Sequence, residues 1–275
     1  MTHPTFDWLD DLPLVASSPD LRMGIRPLDI SGWLPVDELT ELELGRRRRV
    51  FMEHPEFVQM QPGHETALEE LLSLVGIHIG DRLVSDGSPM ERLALSVPDD
   101  IVLMHKAADA EPGDWRLVGG AVLFPNQWTL GEKIGRHVTE IHERVDGYDQ
   151  LLARRVGSFF DGLSAKRPVW RRNWFIHDDP NLVQPFRTEQ RPISDPDEVD
   201  SLWVRSEWQT LRRLVFSGLI VFTIKSQIAP MSAVCDRPHI AEQLATFLSE
   251  ASDRSLANKD AVDRHHAIIE YLRRS

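Results

Sequence analysis

Residues Phe124 to Tyr148 read F-P-N-Q-W-T-L-G-E-K-I-G-R-H-V-T-E-I-H-E-R-V-D-G-Y. Phe124 closes an apolar run, Phe124-Pro125-Asn126 is a turn, and the remainder is built of helix formers. Ile134, Val138, Ile141 and Val145 fall at i, i+4, i+7 and i+11, which predicts one buried stripe on a helix from Leu130 to Val145. Asp146-Gly147 stops it. His137 and His142 flank the stripe. An imidazole at the edge of a buried helix face can turn its ring into a pocket and bind a metal or haem iron. The alternative is one hydrogen-bonded core histidine and one surface histidine, and spacing alone leaves both open.

Working outward, this crossing segment lies between two groups of strands. Before it come Asp100 to His105 (D-I-V-L-M-H) and Trp115 to Phe124 (W-R-L-V-G-G-A-V-L-F), joined by a hairpin loop at Ala110–Asp114. Gly119-Gly120 within the second run predicts a bulge or a close backbone approach. After it come a second helix, Asp149 to Leu163, and three strands. These are Val169 to Ile176, Leu202 to Leu214 and Leu219 to Ile228, the last two forming a hairpin through Ser217-Gly218. Pro180 to Asp200 is polar and proline-rich and reads as a long surface loop. Strands and helices do not alternate, which argues against a doubly wound parallel sheet. The order predicts an α+β domain of the Per-Arnt-Sim type. Its antiparallel sheet would carry helices on one face and enclose a pocket for a flat cofactor or small ligand. The whole chain, 1–275, reads as one domain. Its sheet core is about 98–230, with an N-terminal helical extension over 1–85 and a C-terminal helix over 238–275. Within the first extension, helices are expected at Glu38–Phe51 and from Gly63-His64-Glu65 to Gly76, and short strands are expected to follow Asp86-Gly87-Ser88-Pro89.

The 275 residues include 31 basic and 43 acidic side chains, a formal charge of -12. An acidic surface repels nucleic acid and anionic membrane, so neither is expected as a partner. The run Arg46–Arg49 reads as a solvated helix face. Cys235 is the sole cysteine, which excludes an internal disulfide, an all-thiolate zinc site and a thiolate-held iron–sulfur cluster, and fits a reducing cytoplasm. Met1-Thr2-His3-Pro4 does not open a signal peptide, and the apolar stretch Leu214–Ile224 is too short for a membrane helix. Fingerprints of dinucleotide, P-loop, zincin and nucleophile-elbow sites are missing.

Two strands carry unusual polarity. Alternation along Leu202–Leu214 puts Arg205, Glu207, Gln209, Leu211 and Arg213 on one face, and Val204, Ser206, Trp208, Thr210 and Arg212 on the other. Such charges either pair across a solvent face or, if buried, must be paired or aimed at a ligand. Arg171-Arg172-Asn173-Trp174 reads as a pocket wall in which Asn173 donates to a ligand and Trp174 stacks on it. It reads equally as a core tryptophan with exposed arginines.

Taken together, several motifs resemble the haem-dependent oxidative N-demethylase family, the alpha (haem-binding) subunit of dimethylamine monooxygenase and its relatives. They are Phe124-Pro125-x-x-Trp128, Glu132-Lys133-x-Gly135, Ile141-His142-x-x-Val145-x-Gly147-Tyr148, Arg172-Asn173-Trp174, Glu207-x-Gln209-Thr210-Leu211-Arg212-Arg213-Leu214 and Phe222-Thr223-Ile224-Lys225. The resemblance runs from about Arg26 to the C-terminal helix. It implies a haem-binding Per-Arnt-Sim fold in which His142 is the axial ligand of haem b. It also implies cofactor contacts from Lys133, Asn173, Trp174 and Arg205, and catalytic charges from Glu207, Arg212 and Arg213. The implied reaction is oxygen-dependent removal of a methyl group from a small amine. Electrons would come from a reductase partner subunit, with flavin, a [2Fe–2S] cluster and folate on partner subunits. A haem or small-ligand sensor without turnover is the alternative. The sequence departs from the family pattern at Trp208, where a basic residue is expected, and at Arg144 and Asp146, where prolines are expected.

Overall fold

The computed structural model describes residues 6–14, 23–142 and 150–274. Seven strands, β1 (Arg26–Pro27), β2 (Val58–Met60), β3 (Asp100–His105), β4 (Arg116–Ala121), β5 (Val169–His177), β6 (Trp203–Arg213) and β7 (Ile220–Pro230), form one sheet in the order β1-β5-β6-β7-β3-β4-β2. Every neighbour is antiparallel. The strand pair and the strand trio expected from the sequence are therefore joined through β7 and β3, which register Asp100 with Ile224 and Met104 with Ile220. The outermost strands come from the N-terminal third, which the sequence reading made helical. Two glycines let the neighbours of β4 approach closely, Gly119 on the side of β2 and Gly120 on the side of β3. A Cβ on Gly119 would stand 2.1 Å from the Met60 sulfur, and one on Gly120 would stand 2.5 Å from the Ile101 carbonyl oxygen. The pair thus serves close approach, and the register is also irregular beside it: Leu103 faces Gly119 and Met104 faces Leu117, which leaves Val118 of β4 as the extra residue.

Ten α-helical segments complete the described residues: α1 (Thr40–Glu53), α2 (Glu65–Ile79), α3 (Pro89–Ser96), α4 (Leu130–Lys133), α5 (Val138–Ile141), α6 (Gln150–Gly162), α7 (Met231–Cys235), α8 (Pro238–Glu250), α9 (Asp253–Ala257) and α10 (His265–Arg274). The crossing segments α4 to α6 cover one face of the sheet. Leu130, Val138, Phe160 and Leu163 pack there on Val102, Met104, Leu211 and Ile220. The opposite face is covered too, by the extensions. Leu68, Leu71, Leu72 and Leu93 of α2 and α3 pack on Ile101, Leu103 and Val221. Beyond them, Leu244, Leu248 and Ile268 of α8 and α10 pack on Trp174, Ile176 and Val204. The expectation of helices on one face holds for the crossing segments alone, because an apolar second sheet face must also be buried.

The single helix expected over Leu130–Val145 is two separate turns. Gly135 adopts φ 81° between them, and its N–H donates to the Leu117 carbonyl while the Arg136 carbonyl receives the Leu117 N–H. The chain thus extends the edge of β4 instead of continuing the helix. His137 then caps α5: its Nδ1 accepts from Thr139 N–H at 3.0 Å, and Glu140 accepts from the His137 N–H. Val145 and the Asp146-Gly147 stop lie outside the described residues. α2 runs through Gly76 to Ile79 and ends at Gly80, φ 59°. Ser88-Pro89, read as a turn into strands, starts α3 with a capping box to Glu91. The C-terminal segment is three helices separated by short linkers. Arg46, Arg48 and Arg49 are exposed as expected, but Arg47 is fully buried. Its Nη1 reaches Asp100 at 2.7 Å and its Nε donates to the Ala94 carbonyl.

Candidate functional site

The turn at Phe124 is built from buried polar contacts on both sides. The Asp100 carboxylate accepts from the N–H groups of Leu123 and Phe124. Arg205, wholly buried, donates to the carbonyls of Phe124 (2.7 Å) and Leu182 (3.0 Å) and to Ser226 Oγ. This fixes the direction in which the chain leaves the sheet. It also brings Asn126 over β6, where its Nδ2 donates to Glu207 Oε1 at 3.1 Å.

Cross-strand register places the remaining groups. Asn173 lies opposite Glu207 and Arg171 opposite Gln209, so all four side chains share the face covered by α4 to α6. Gln209 Nε2 donates to Glu207 Oε2 at 2.9 Å. Lys259 enters from the linker between α9 and α10. Its Nζ donates to Asn173 Oδ1 at 2.7 Å and stands 4.9 Å from the Trp174 ring centroid. Burial pushes the Lys259 amine down to about 7, helped by the Arg171 charge and opposed by Glu207 and Asp260.

His142 follows α5 and faces the same wall. Burial pushes its imidazole down to about 4, the charges of Lys133 and Arg171 act in the same direction, and the Val138 carbonyl partly offsets them. The ring is therefore neutral at physiological pH. Its Nδ1 lies 2.8 Å from that carbonyl. A carbonyl only accepts, so the proton sits on Nδ1 and the ring's lone pair on Nε2, the tautomer of an oriented imidazole ligand. His142, Arg171 and Lys259 are each dehydrated enough to be displaced in pKa, yet each keeps part of its surface accessible. The three lie within electrostatic reach of one another, and the region between α5 and the β5–β6 wall where they meet is the candidate recess.

Two residues with left-handed backbone meet beside Lys259. Gln127 (φ 60°) and Asp260 (φ 55°) both adopt left-handed backbone, and Gln127 Nε2 donates to Asp260 Oδ2 at 3.0 Å. His177, fully buried, stands 3.7 Å from the same Asp260 oxygen. Non-glycine residues persist in that region only when their surroundings over-determine them, and such positions cluster at functional sites.

The structure brings together His142, Asn173 and Glu207 among the residues singled out by sequence, with Lys133 beside them. Lys133 stacks 4.4 Å from the Trp128 ring centroid. The others do not converge there. Arg205 shares the face, but both of its terminal nitrogens are committed to the Phe124 and Leu182 carbonyls and to Ser226. Trp174 points to the opposite face and packs edge-on against Phe247, 5.1 Å between centroids. Arg212 also points away, over the Trp33 ring. Arg213 lies roughly 20 Å along the strand from Glu207 and donates to the carbonyls of Phe160 and Leu163 at the end of α6. It borders a separate cleft of about 230 Å³ with Lys106, Trp115 and Asp161. Trp208 lies beside Trp170 on the face away from His142, so the basic residue expected at that position would not have faced the recess. The positions of Arg144 and Asp146 lie outside the described residues.

Sequence reasoning missed Lys259 and undervalued Arg171. Lys259 sits in an unpatterned linker far along the chain, and only the fold brings it to β5. Alternation did announce Arg171, which shares the parity of Asn173. Among the described residues, no three His, Cys, Asp or Glu side chains converge as a metal site, and no helix is long and apolar enough to cross a membrane.

Comparison with known proteins identifies a family. The family described as haem-dependent oxidative N-demethylase, alpha subunit-like, matches residues 77–269, a span that holds β3 to β7, His142 and Lys259. No curated protein matches the chain. The chain belongs to that family.

Proposed function

We propose, from that membership and the recess, that this chain is a haem-binding oxidoreductase subunit that removes a methyl group from a small amine. The observation that carries the reading is His142, a neutral imidazole whose Nδ1–H is committed to the Val138 carbonyl. That tautomer would let Nε2 ligate haem iron, and the hydrogen bond at Nδ1 would raise the basicity of that nitrogen. Arg171 and Lys133 supply positive charge on the same side, which suits the carboxylates of haem b. The residues present therefore fit the group. The strand order agrees with a Per-Arnt-Sim reading: two strands, a helical crossing, then three strands whose last pairs with the first.

When bound, haem supplies an iron centre at which oxygen and electrons from a partner reductase reach the substrate. The chain supplies position and charge. His142 holds one side of the recess. Glu207 keeps a carboxylate on the opposite wall, held by two neutral amide donors that leave its charge in place for a substrate ammonium. Asn173 and Gln209 fix that wall, and the Arg205-braced turn sets the position of Asn126. Flavin, the [2Fe–2S] cluster and folate belong to partner subunits in this reading.

Hemin-loaded protein supplied with a chemical or enzymatic reductant and dimethylamine should consume oxygen and release formaldehyde in step. Haem uptake without amine-dependent oxygen consumption, tried across a panel of secondary methylamines, would replace the enzyme reading with that of a haem sensor.

A further inference from the structure

Arg171 has a buried Nε without a partner, and no hydrogen bond or ion pair joins its guanidinium to the described residues. A buried guanidinium in that state costs several kcal/mol unless something completes it. The nearby carboxylate of Glu207 raises its pKa only against a larger effect of burial, and both Glu207 oxygens are occupied by Asn126 and Gln209. Two residues along the same face, Asn173 holds the Lys259 amine. The groups facing Lys259 are Arg171 on β5, Glu207 on β6 and Asp260 on its own linker. Two cations, Arg171 and Lys259, thus share two carboxylates, Glu207 and Asp260, and no hydrogen bond joins either carboxylate to the Arg171 guanidinium.

We propose that Arg171 and Lys259 form a carboxylate-binding site beside Glu207. The guanidinium fork suits a two-oxygen acceptor, and the amine suits a single point of charge. The carboxylate can come from a ligand whose amine is taken by Glu207, which makes that ligand an N-methylated amino acid. It can also come from a haem propionate. Both sources rest on the recess being the ligand site proposed above. The Gln127–Asp260 contact has a purpose in this arrangement. It ties two strained turns together and sets the linker that delivers Lys259, so the strain is held where the ligand binds. Burial and the Arg171 charge lower the amine's pKa. A carboxylate arriving near pH 8 stabilises the ammonium form, so binding draws a proton onto Lys259.

The test uses calorimetry on the full chain, with and without hemin, at pH 8. The ligands are N,N-dimethylglycine and dimethylamine, measured in two buffers of different ionisation enthalpy. Hemin and its dimethyl ester are titrated in parallel. Arg171→Gln should weaken a carboxylate ligand by tenfold or more, and Arg171→Lys should restore part of it. If the source is substrate, dimethylglycine affinity falls while dimethylamine and hemin affinities hold. If it is propionate, hemin uptake falls while ester uptake holds. Proton uptake on dimethylglycine or hemin binding should vanish in Lys259→Met. The proposal is overturned if Arg171→Gln leaves both dimethylglycine and hemin within twofold of the parent, or if the parent binds neither. Should the parent refuse hemin alone, the haem reading fails, and dimethylglycine binding to the haem-free chain still decides the carboxylate site.

Discussion

Two lysines are buried on opposite faces of one sheet, and their surroundings push them in opposite directions. Lys225 on β7 meets Asp37 and Glu43, the latter at 3.6 Å, with Asp99 close behind. Burial lowers its pKa, but these carboxylates more than compensate, and the net shift is upward. Lys259 meets a neutral amide and an arginine, and burial with the Arg171 charge outweighs Glu207 and Asp260 and lowers it to about 7. The first cluster joins the N-terminal extension to the sheet, and its carboxylates more than cover its lysine. The second faces the recess and is open. A buried charge that its own fold neutralises reads as architecture; one left uncompensated reads as waiting for a ligand.

The largest effect is expected where the closed cluster is broken. Lys225→Met leaves Glu43, Asp37 and Asp99 without their cation and should cost about 3–5 kcal/mol at pH 8, read by urea unfolding. Because the folded pKa of Lys225 lies above its unfolded value, that stabilisation is present at neutral pH and fades only as pH rises past roughly 10.5. The mirror substitution, Lys259→Met, should stabilise the ligand-free protein by about 2 kcal/mol at pH 6. Its sign follows from linkage: the unfolded lysine keeps its proton to roughly pH 10.5, whereas the folded one releases it near 7. The penalty is complete below pH 7 and shrinks toward pH 10. A gain that is the same at pH 6 and pH 10 would mean that Lys259 is not held in an open cationic site.

A smaller effect belongs to Asp99, whose two carboxylate oxygens are buried without partners. Burial raises it to about 7, with Lys225 and Arg47 pulling the other way. A raised carboxylate loses stability as pH climbs from its unfolded value to its folded one. Asp99→Asn should therefore gain about 1–2 kcal/mol at pH 8 and almost nothing at pH 4, seen as a Tm difference between the two buffers. The smallest effect is expected at Trp208. Trp208→Arg alters the face away from His142 and should leave the spectrum of hemin-loaded protein unchanged. A shifted Soret band would mean that this position does communicate with the recess.

The same contrast explains how much was legible from the sequence. The strand trio was visible because Trp203–Arg213 and Ile220–Pro230 alternate and carry β-branched and aromatic residues over a long run. The parity of Glu207, Asn173 and Arg171 followed from period two alone. What period cannot show is which charges meet. Arg205 and Arg213 share the parity of Glu207, yet one braces a turn and the other caps a helix. Arg212 took its site role from motif order although alternation had put it on the other face, and Trp174 was read as stacking on a ligand although period two sets it opposite in parity to Asn173. The broken helix at Gly135 was hidden because Ile134, Val138 and Ile141 fit a helical stripe as well as they fit two turns separated by an edge contact. Lys259 was illegible, since its position depends on a left-handed Asp260 and a partner on Gln127, 133 residues earlier in the chain.

The central claim is that His142 binds haem iron in the recess. Haem-free protein titrated with hemin should develop a sharp Soret band with one-to-one stoichiometry, and His142→Ala, still folded by circular dichroism, should lose that band or shift it and bind hemin at least tenfold more weakly. A His142→Ala protein that takes up hemin with the parent's spectrum and affinity would contradict the account.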